Sequence, residues 1–238
     1  METVEQYIER AKVRVKGLRE NFVWVPEPAG IIDQTLLKPE ASLSDVRRFF
    51  EESLPFNFAS ICVNSSFIPY LRELNREVPL CSVVGFPLGA SSSASKAFEA
   101  DDAVRNGAVE IDMVMNIGFF KDRDYKKVER DIKMVRNAIG EAVVLKVIIE
   151  TGFLSNDEKV EATKIVMNSG ADFVKTSTGF GPGGATLFDV ALLKEVVGDQ
   201  IKVKAAGGIR NYYTLCALFS AGASRIGTSS GTKILNEV

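Results

Sequence analysis

The sequence predicts an α/β protein whose eight short strands alternate with helices and close into a parallel (β/α)8 barrel with an extra N-terminal helix. Three observations predict it. Eight apolar, β-rich segments alternate with stretches of helical periodicity along 238 residues, which suits a barrel of this kind. Three units end alike, with Asn106-Gly107-Ala108, Ser169-Gly170-Ala171 and Ala221-Gly222-Ala223 each leading into a strand. The rival architecture, an open doubly wound sheet, ordinarily carries a glycine-rich phosphate loop after its first strand. Here that position holds Gln34-Thr35-Leu36-Leu37-Lys38-Pro39.

The elements follow in order. Residues 3–20 set Val4, Tyr7, Ile8, Ala11, Val15 and Leu18 at intervals of three or four, the period of an amphipathic helix. This helix is expected to close the barrel's bottom or to join a partner subunit, with Phe22 and Trp24 as anchors for either contact. Strands are expected over 29–33, 58–64, 80–86, 109–116, 143–150, 172–177, 201–206 and 224–228. Helices are expected near 43–53, 65–76, 92–106, 122–139, 156–169, 186–197 and 211–221, with a short one from 229. Ser155-Asn156-Asp157-Glu158 has the polar and acidic character of a helix start. Gly107, Gly140, Gly170, Gly198 and Gly222 each sit just past a helical stretch, where glycine commonly ends a helix. No interdomain linker is visible, so 1–238 reads as one domain with 1–25 as a helical extension.

Composition narrows the function classes. The net charge of −2 gives no basic footprint for nucleic acid and no polybasic membrane patch. The apolar runs are too short to span a bilayer, and the acidic first residues lack a signal core. Cys62, Cys81 and Cys216 are odd in number and widely spaced, which fits a reducing cytoplasm rather than a disulfide framework or a zinc ribbon. The chain contains no histidine. Ser-His-Asp and Cys-His mechanisms and histidine-based zinc sites are thereby excluded within the chain.

Charges on the predicted strands are the main functional signal. Parallel strands are buried on both faces and ordinarily read as continuous apolar runs. Asp112, Lys146, Lys175 and Lys204 interrupt four consecutive strands. Side chains alternate along a strand, and if Val144, Lys146 and Ile148 face the lumen, the same parity turns Asp112, Lys175 and Lys204 inward. Lys202 comes earlier on its strand and is expected to snorkel out. Three cations against one anion is a poor balance for a purely structural network, because an unpaired buried charge is costly. It suits amine chemistry. A lysine attacks a carbonyl only when neutral, and low polarity with a neighbouring ammonium favours that form. Asp112 is placed to move a proton. The pattern leaves open which of Lys175 and Lys204 attacks.

A phosphate site is expected at the last two strands, where barrel enzymes often bind phosphate. Gly207-Gly208 follows the seventh strand, and Gly227-Thr228-Ser229-Ser230-Gly231 lies at the eighth. Glycines let backbone N–H groups approach an anion, and the hydroxyls of Ser229 and Ser230 add donors. Thr176-Ser177-Thr178-Gly179 completes the cradle. Phe180-Gly181-Pro182-Gly183-Gly184 reads as a mobile or tightly turning loop beside it.

These residues resemble the deoxyribose-phosphate aldolases, a family of class I aldolases. The resemblance is carried by Val174-Lys175-Thr176-Ser177-Thr178-Gly179, Leu145-Lys146-Val147-Ile148-Ile149-Glu150-Thr151 and Lys204-Ala205-Ala206-Gly207-Gly208-Ile209-Arg210. Ile32-Asp33-Gln34-Thr35-Leu36-Leu37, Glu110-Ile111-Asp112 and Gly227-Thr228-Ser229-Ser230 extend it from about residue 30 to residue 231, in family order. It implies a (β/α)8 barrel that reversibly cleaves 2-deoxy-D-ribose 5-phosphate to D-glyceraldehyde 3-phosphate and acetaldehyde. It further implies Lys175 as the Schiff-base lysine, Lys204 as the lysine that perturbs it and Asp112 as the proton-transfer residue. Thr178, Gly179, Gly207, Gly208, Ser229 and Ser230 would hold the phosphate, with Asp33, Thr35 and Lys146 in support. No metal or organic cofactor is implied, since the iminium is itself the electron sink, and the implied assembly is a dimer or tetramer. Two features depart from the family pattern. Gln34 stands where many members have histidine, and no tyrosine stands among 234–238, where some members carry one that assists proton transfer. Asp112 and water would then carry that step. Another phosphosugar or ketose aldolase, and a non-catalytic phosphosugar-binding barrel, are the competing readings.

Overall fold

A computed structural model of the chain describes residues 2–18 and 20–238. Helix α1 (Val4–Gly17) begins in a capping box, Thr3 exchanging hydrogen bonds with Gln6. The barrel then runs β1 (Ile32–Leu36), α2 (Leu43–Ser53), β2 (Ser60–Val63), α3 (Ile68–Leu74), β3 (Leu80–Val84), α4 (Ser93–Arg105) and β4 (Glu110–Val114). It continues through α5 (Ile117–Lys121), α6 (Tyr125–Ile139), β5 (Val144–Ile148), α7 (Asn156–Asn168), β6 (Phe173–Lys175), α8 (Leu187–Val197), β7 (Lys202–Ala206), α9 (Tyr212–Ala221), β8 (Arg225–Thr228) and α10 (Gly231–Leu235). The eight strands pair in parallel and in sequence order, and β8 closes the barrel onto β1.

Most boundaries lie close to those expected from sequence, and the differences have local causes. The first strand starts at Ile32 rather than 29, because Pro28 opens a single 3-10 turn, Pro28–Ile31, before the ladder begins. Asp33 therefore sits inside the ladder, paired with Ser60 on β2 and Gly227 on β8. The helix expected over 122–139 is α6, which starts at Tyr125 because Arg123 turns left-handed (φ 59°) and Asp124 caps it, and the short α5 before it was not expected. The one expected over 65–76 is a 3-10 turn followed by the short α3, with Pro69 in its first turn. Ser155 and Glu158 do form the capping box of α7. Gly107 (φ 107°) and Gly222 (φ 123°) end α4 and α9 in a backbone geometry that favours glycine.

Helix α1 packs on the outer layer of the barrel rather than across its bottom. Ala11 is buried there against Val160 of α7 and Ala191, Leu192 and Val196 of α8. Glu195 clamps Arg10 at 2.9 Å and Arg14 at 2.6 Å. Beyond it, Phe22 stacks on Tyr213 (5.2 Å) and Trp24 lies against Tyr212 (5.4 Å), so these aromatics anchor α9. Among the described residues no helix is long and apolar enough to cross a membrane.

Candidate active site

The strand parity places Asp112, Lys146, Lys175 and Lys204 in the lumen, all of them buried. Asp112 on β4 is the hub. Its Oδ2 accepts from Lys175 Nζ at 2.7 Å and Lys204 Nζ at 2.6 Å, and its Oδ1 accepts from Lys146 Nζ at 2.9 Å. The network is larger than the charged pattern suggested. Asp33 lies 2.5 Å from Lys204 and 2.6 Å from Arg225, and accepts from the Ser60 hydroxyl at 2.8 Å. Glu110, at the start of β4, lies 2.5 Å from Lys146 and 3.1 Å from Arg225. Four cations thus face three carboxylates, which corrects the three-to-one imbalance read from sequence. Glu110 shares strand parity with Asp112, and Arg225 with Gly227, so the rule that found the other charges applies to both. Lys202 is exposed, its ammonium over the Phe173 ring, as expected.

Burial and pairing act on these groups in opposite directions. Burial works against the charge on Lys204, but the carboxylates of Asp112 and Asp33 outweigh it and hold its proton above the ordinary lysine range. Lys146 is raised for the same reason, with Asp112, Asp33 and Glu110 overcoming its desolvation. Asp112 is held well below the usual carboxylate range, its burial overcome by Lys146, Lys175 and Lys204. Lys204 is consequently a fixed ammonium. The three lysines differ in how completely they are compensated. Lys146 has three carboxylates within ion-pair distance, Lys204 two and Lys175 one.

A cavity of about 250 Å³ opens above this network at the C-terminal ends of β1, β6, β7 and β8, the end of a barrel where active sites form. Of the three lysines only Lys175 lines it. Thr35, Thr178, Gly179, Gly207, Gly208 and Ser229 line it as well. The backbone amides of Gly179, Gly207, Gly208 and Ser229 donate to no acceptor among the described residues. Two consecutive left-handed glycines, Gly207 (φ 93°) and Gly208 (φ 80°), give β7 its turn at the cavity edge. Ser230 lies one residue beyond the lining, its N–H bonded to Thr228 Oγ1 at 3.0 Å. Asp33, Lys146, Lys204 and Asp112 lie beneath the cavity. Phe180, from the loop expected beside the cradle, faces it too, as do Lys38 and Arg210, to which the sequence alone assigns no role.

The loop at 180–184 is the tightly turning alternative of the two expected. Gly184 abuts the Gly207 backbone, leaving no room for a Cβ, and Ala185 N–H donates to Gly207 O at 3.0 Å. Phe180 meets Phe86 edge-on at 5.3 Å. Gln34, the departure from the family pattern, is buried and accepts from Gly231 N–H at 2.9 Å, fixing the first turn of α10. Cys62 and Cys81 bring sulfurs within 4.8 Å of an Asp112 oxygen, but that carboxylate already binds three ammonium groups, an environment that repels a cation.

A family model described as DeoC/LacD family aldolase matches residues 29–237. The deoxyribose-phosphate aldolase of Carboxydothermus hydrogenoformans is 50% identical over 212 residues, covering 87% of this chain and 93% of the relative. That of Thermococcus kodakarensis is 50% identical over 214 residues, covering 88% and 96%. Among solved structures, an aldolase called QR15 superposes with a TM-score of 0.87 at 40% identity, covering 90% of this chain and 96% of that one. The deoxyribose phosphate aldolase of Aeropyrum pernix, described as a unique tetramer, superposes with a TM-score of 0.83 at 30% identity, covering 99% and 97%.

Proposed function

The chain belongs to the DeoC/LacD family of aldolases, and from that premise we propose that it cleaves 2-deoxy-D-ribose 5-phosphate reversibly to D-glyceraldehyde 3-phosphate and acetaldehyde, with Lys175 as the Schiff-base lysine. The observation that carries the assignment is that Lys175 alone of the buried lysines both opens into the cavity and keeps a single carboxylate neighbour. Its neutral amine adds to C1 of the open-chain sugar, and loss of water gives a protonated imine. The C3 hydroxyl loses its proton and the C2–C3 bond breaks, its electron pair passing into the enamine as glyceraldehyde phosphate leaves. Protonation of the enamine at C2 and hydrolysis of the imine release acetaldehyde and restore the amine.

Lys204, kept charged by Asp33 and Asp112, is the fixed ammonium beside the nucleophile. Asp112 touches both lysines and passes a proton between Lys175 and a water in the cavity, while Lys204 keeps its charge. The free amides of Gly179, Gly207, Gly208 and Ser229, with the Ser229 side chain and Ser230 on the adjoining turn, form the phosphate cradle, and Thr178, whose own hydroxyl is bonded within the protein, shapes its wall. Thr35, Asp33 and Lys146 support the site. The iminium is the electron sink, so the reading calls for no metal or organic cofactor. The partner is a small phosphosugar; neither nucleic acid nor membrane is a partner in this reading. The whole chain acts as one domain, with 1–25 as its N-terminal extension, in a dimer or tetramer, for which the tetrameric relative is the support. A cytoplasmic location suits three buried free cysteines.

Borohydride reduction in the presence of acetaldehyde tests the assignment. Mass spectrometry is expected to find the reduced two-carbon adduct on Lys175. An unmodified Lys175, with the label on Lys204 or nowhere, overturns it.

A further inference from the structure

Glu150 lies just past β5 and takes no part in the chemistry above, yet it is held in an uncommon state. Its backbone is left-handed (φ 52°), a conformation non-glycine residues seldom adopt. Its side chain is buried, and its Oε1 has no hydrogen-bonding partner among the described residues. A buried carboxylate in this condition is costly, and such residues concentrate where function requires them.

The other oxygen shows what the carboxylate does. Glu150 Oε2 accepts from the Thr178 N–H at 3.1 Å and also from the Thr178 hydroxyl. That hydroxyl in turn accepts from the Phe180 N–H at 3.0 Å. The amides on either side of Gly179 are therefore committed to the protein, and the Gly179 N–H between them has no acceptor among the described residues. Gly181 is fitted to the same carboxylate, since a Cβ there would stand 2.7 Å from Glu150 Cδ. One carboxylate thus bonds the start of the turn that runs from Thr178 to Gly181 along the cavity wall and packs closely against its end.

We infer that Glu150 is a positioning residue for anion recognition. It holds the Thr178–Gly179 turn so that the Gly179 amide faces the phosphate of the substrate, and it acts through that turn rather than on the reacting carbons. The inference rests on the phosphate cradle assigned above. It makes Glu150 a determinant of the preference for phosphorylated over unphosphorylated sugar.

The test compares cleavage of 2-deoxyribose 5-phosphate and of 2-deoxyribose by the wild type, Glu150→Ala, Glu150→Gln and Gly181→Ala. The wild type is expected to favour the phosphorylated sugar. Glu150→Ala should lose roughly 10- to 100-fold in kcat/KM on the phosphorylated sugar, mainly through KM, as a displaced binding group does, and less than about threefold on 2-deoxyribose. Glu150→Gln keeps an acceptor for Thr178 and should recover most of the loss. Gly181→Ala keeps the carboxylate but crowds it, and should show the same substrate-selective loss in a protein that folds even if Glu150→Ala does not. Equal losses on both sugars, or no loss on either, overturn the role of Glu150 while the wild-type preference leaves the cradle intact. A wild type without preference for the phosphorylated sugar overturns the cradle itself and the inference with it.

Discussion

Asp33→Asn is the sharpest test of how the luminal charges are organised, because it removes one charge with almost no change in size. The amide keeps an oxygen for the Ser60 hydroxyl, 2.8 Å away, but no longer balances Lys204 at 2.5 Å or Arg225 at 2.6 Å. Removing one partner of a buried ion pair costs about 3–5 kcal/mol. Both cations keep a second carboxylate, Asp112 at 2.6 Å from Lys204 and Glu110 at 3.1 Å from Arg225. The lower end of the range therefore applies, about 3 kcal/mol. For a protein of this size each kcal/mol lowers the melting temperature by roughly 2–4 °C, so the variant should melt about 6–12 °C below wild type. Thermal unfolding followed by circular dichroism at pH 7 measures the shift. Repeating it in 1 M salt should leave most of the difference in place, since buried pairs are poorly screened. A shift below about 2 °C would show that Asp33 is neutral in the folded protein and that Lys204 depends on Asp112 alone.

Three further outcomes follow from the same geometry. Lys146→Met should destabilise the protein by about 3–5 kcal/mol, because it strips a cation from three carboxylates, yet borohydride should still trap acetaldehyde on Lys175; loss of trapping in a folded variant would place Lys146 in the chemistry. Gly184→Ala drives a methyl into the Gly207 backbone, which should cost about 1–3 kcal/mol of stability by overpacking and raise KM for the phosphorylated sugar, both readable in one melting and kinetic series. Asp112 and Asp33 are depressed in the folded state, so their contribution is complete above the ordinary value of 3.8 and is lost as pH falls through the folded values, whereas Lys204 and Lys146 are raised, so theirs is complete below 10.5 and is lost as pH rises through the folded values. Urea melts across pH should show no step from this network between about pH 4 and 10, and a network-dependent step near pH 6, absent in the Asp33→Asn variant, would contradict these directions.

How much of this was legible in sequence depends on the kind of information each feature needs. Strand alternation and charge parity are local, and they placed Asp112, Lys146, Lys175 and Lys204 in one lumen. The offset of β1 was hidden because the Pro28 turn is apolar and resembles a strand start, so Asp33 fell at the edge of the expected strand instead of inside it. Counter-charges were undercounted for a related reason. Glu110 and Arg225 stand at strand starts, where a charge reads as solvent-exposed, and only closure of β8 onto β1 carries Arg225 to Asp33. The seat of α1 is a long-range packing choice, set by Ala11 meeting Ala191 and Leu192, and amphipathic period alone does not name the surface it covers. Glu150 looked like the polar end of a strand. Its role depends on Thr178 and Gly181, which the fold brings to it from the next loop.

The three luminal lysines show how one network can serve both folding and the proposed chemistry. A lysine sequestered from water with no carboxylate would shed its proton or unfold the barrel, and one fully enclosed by carboxylates would never offer a free electron pair. The lumen grades between these limits. Lys146, touching Asp33, Glu110 and Asp112, is the most compensated and has no access to the cavity. Lys204 is held by Asp33 and Asp112 and keeps its charge. Lys175 pairs in register with Ile148, two residues further along β5 than Lys146, and it meets the cavity with Asp112 alone. Asp112 Oδ2 is shared with Lys204, so the carboxylate that holds Lys175 is already balanced by a charge that does not leave. Without the Lys204 charge, Asp33 would keep only Arg225 at close range, whereas Lys175 pairs with no carboxylate but Asp112. The proposed nucleophile, Lys175, is thus the luminal lysine with the fewest counter-charges and the opening to the cavity.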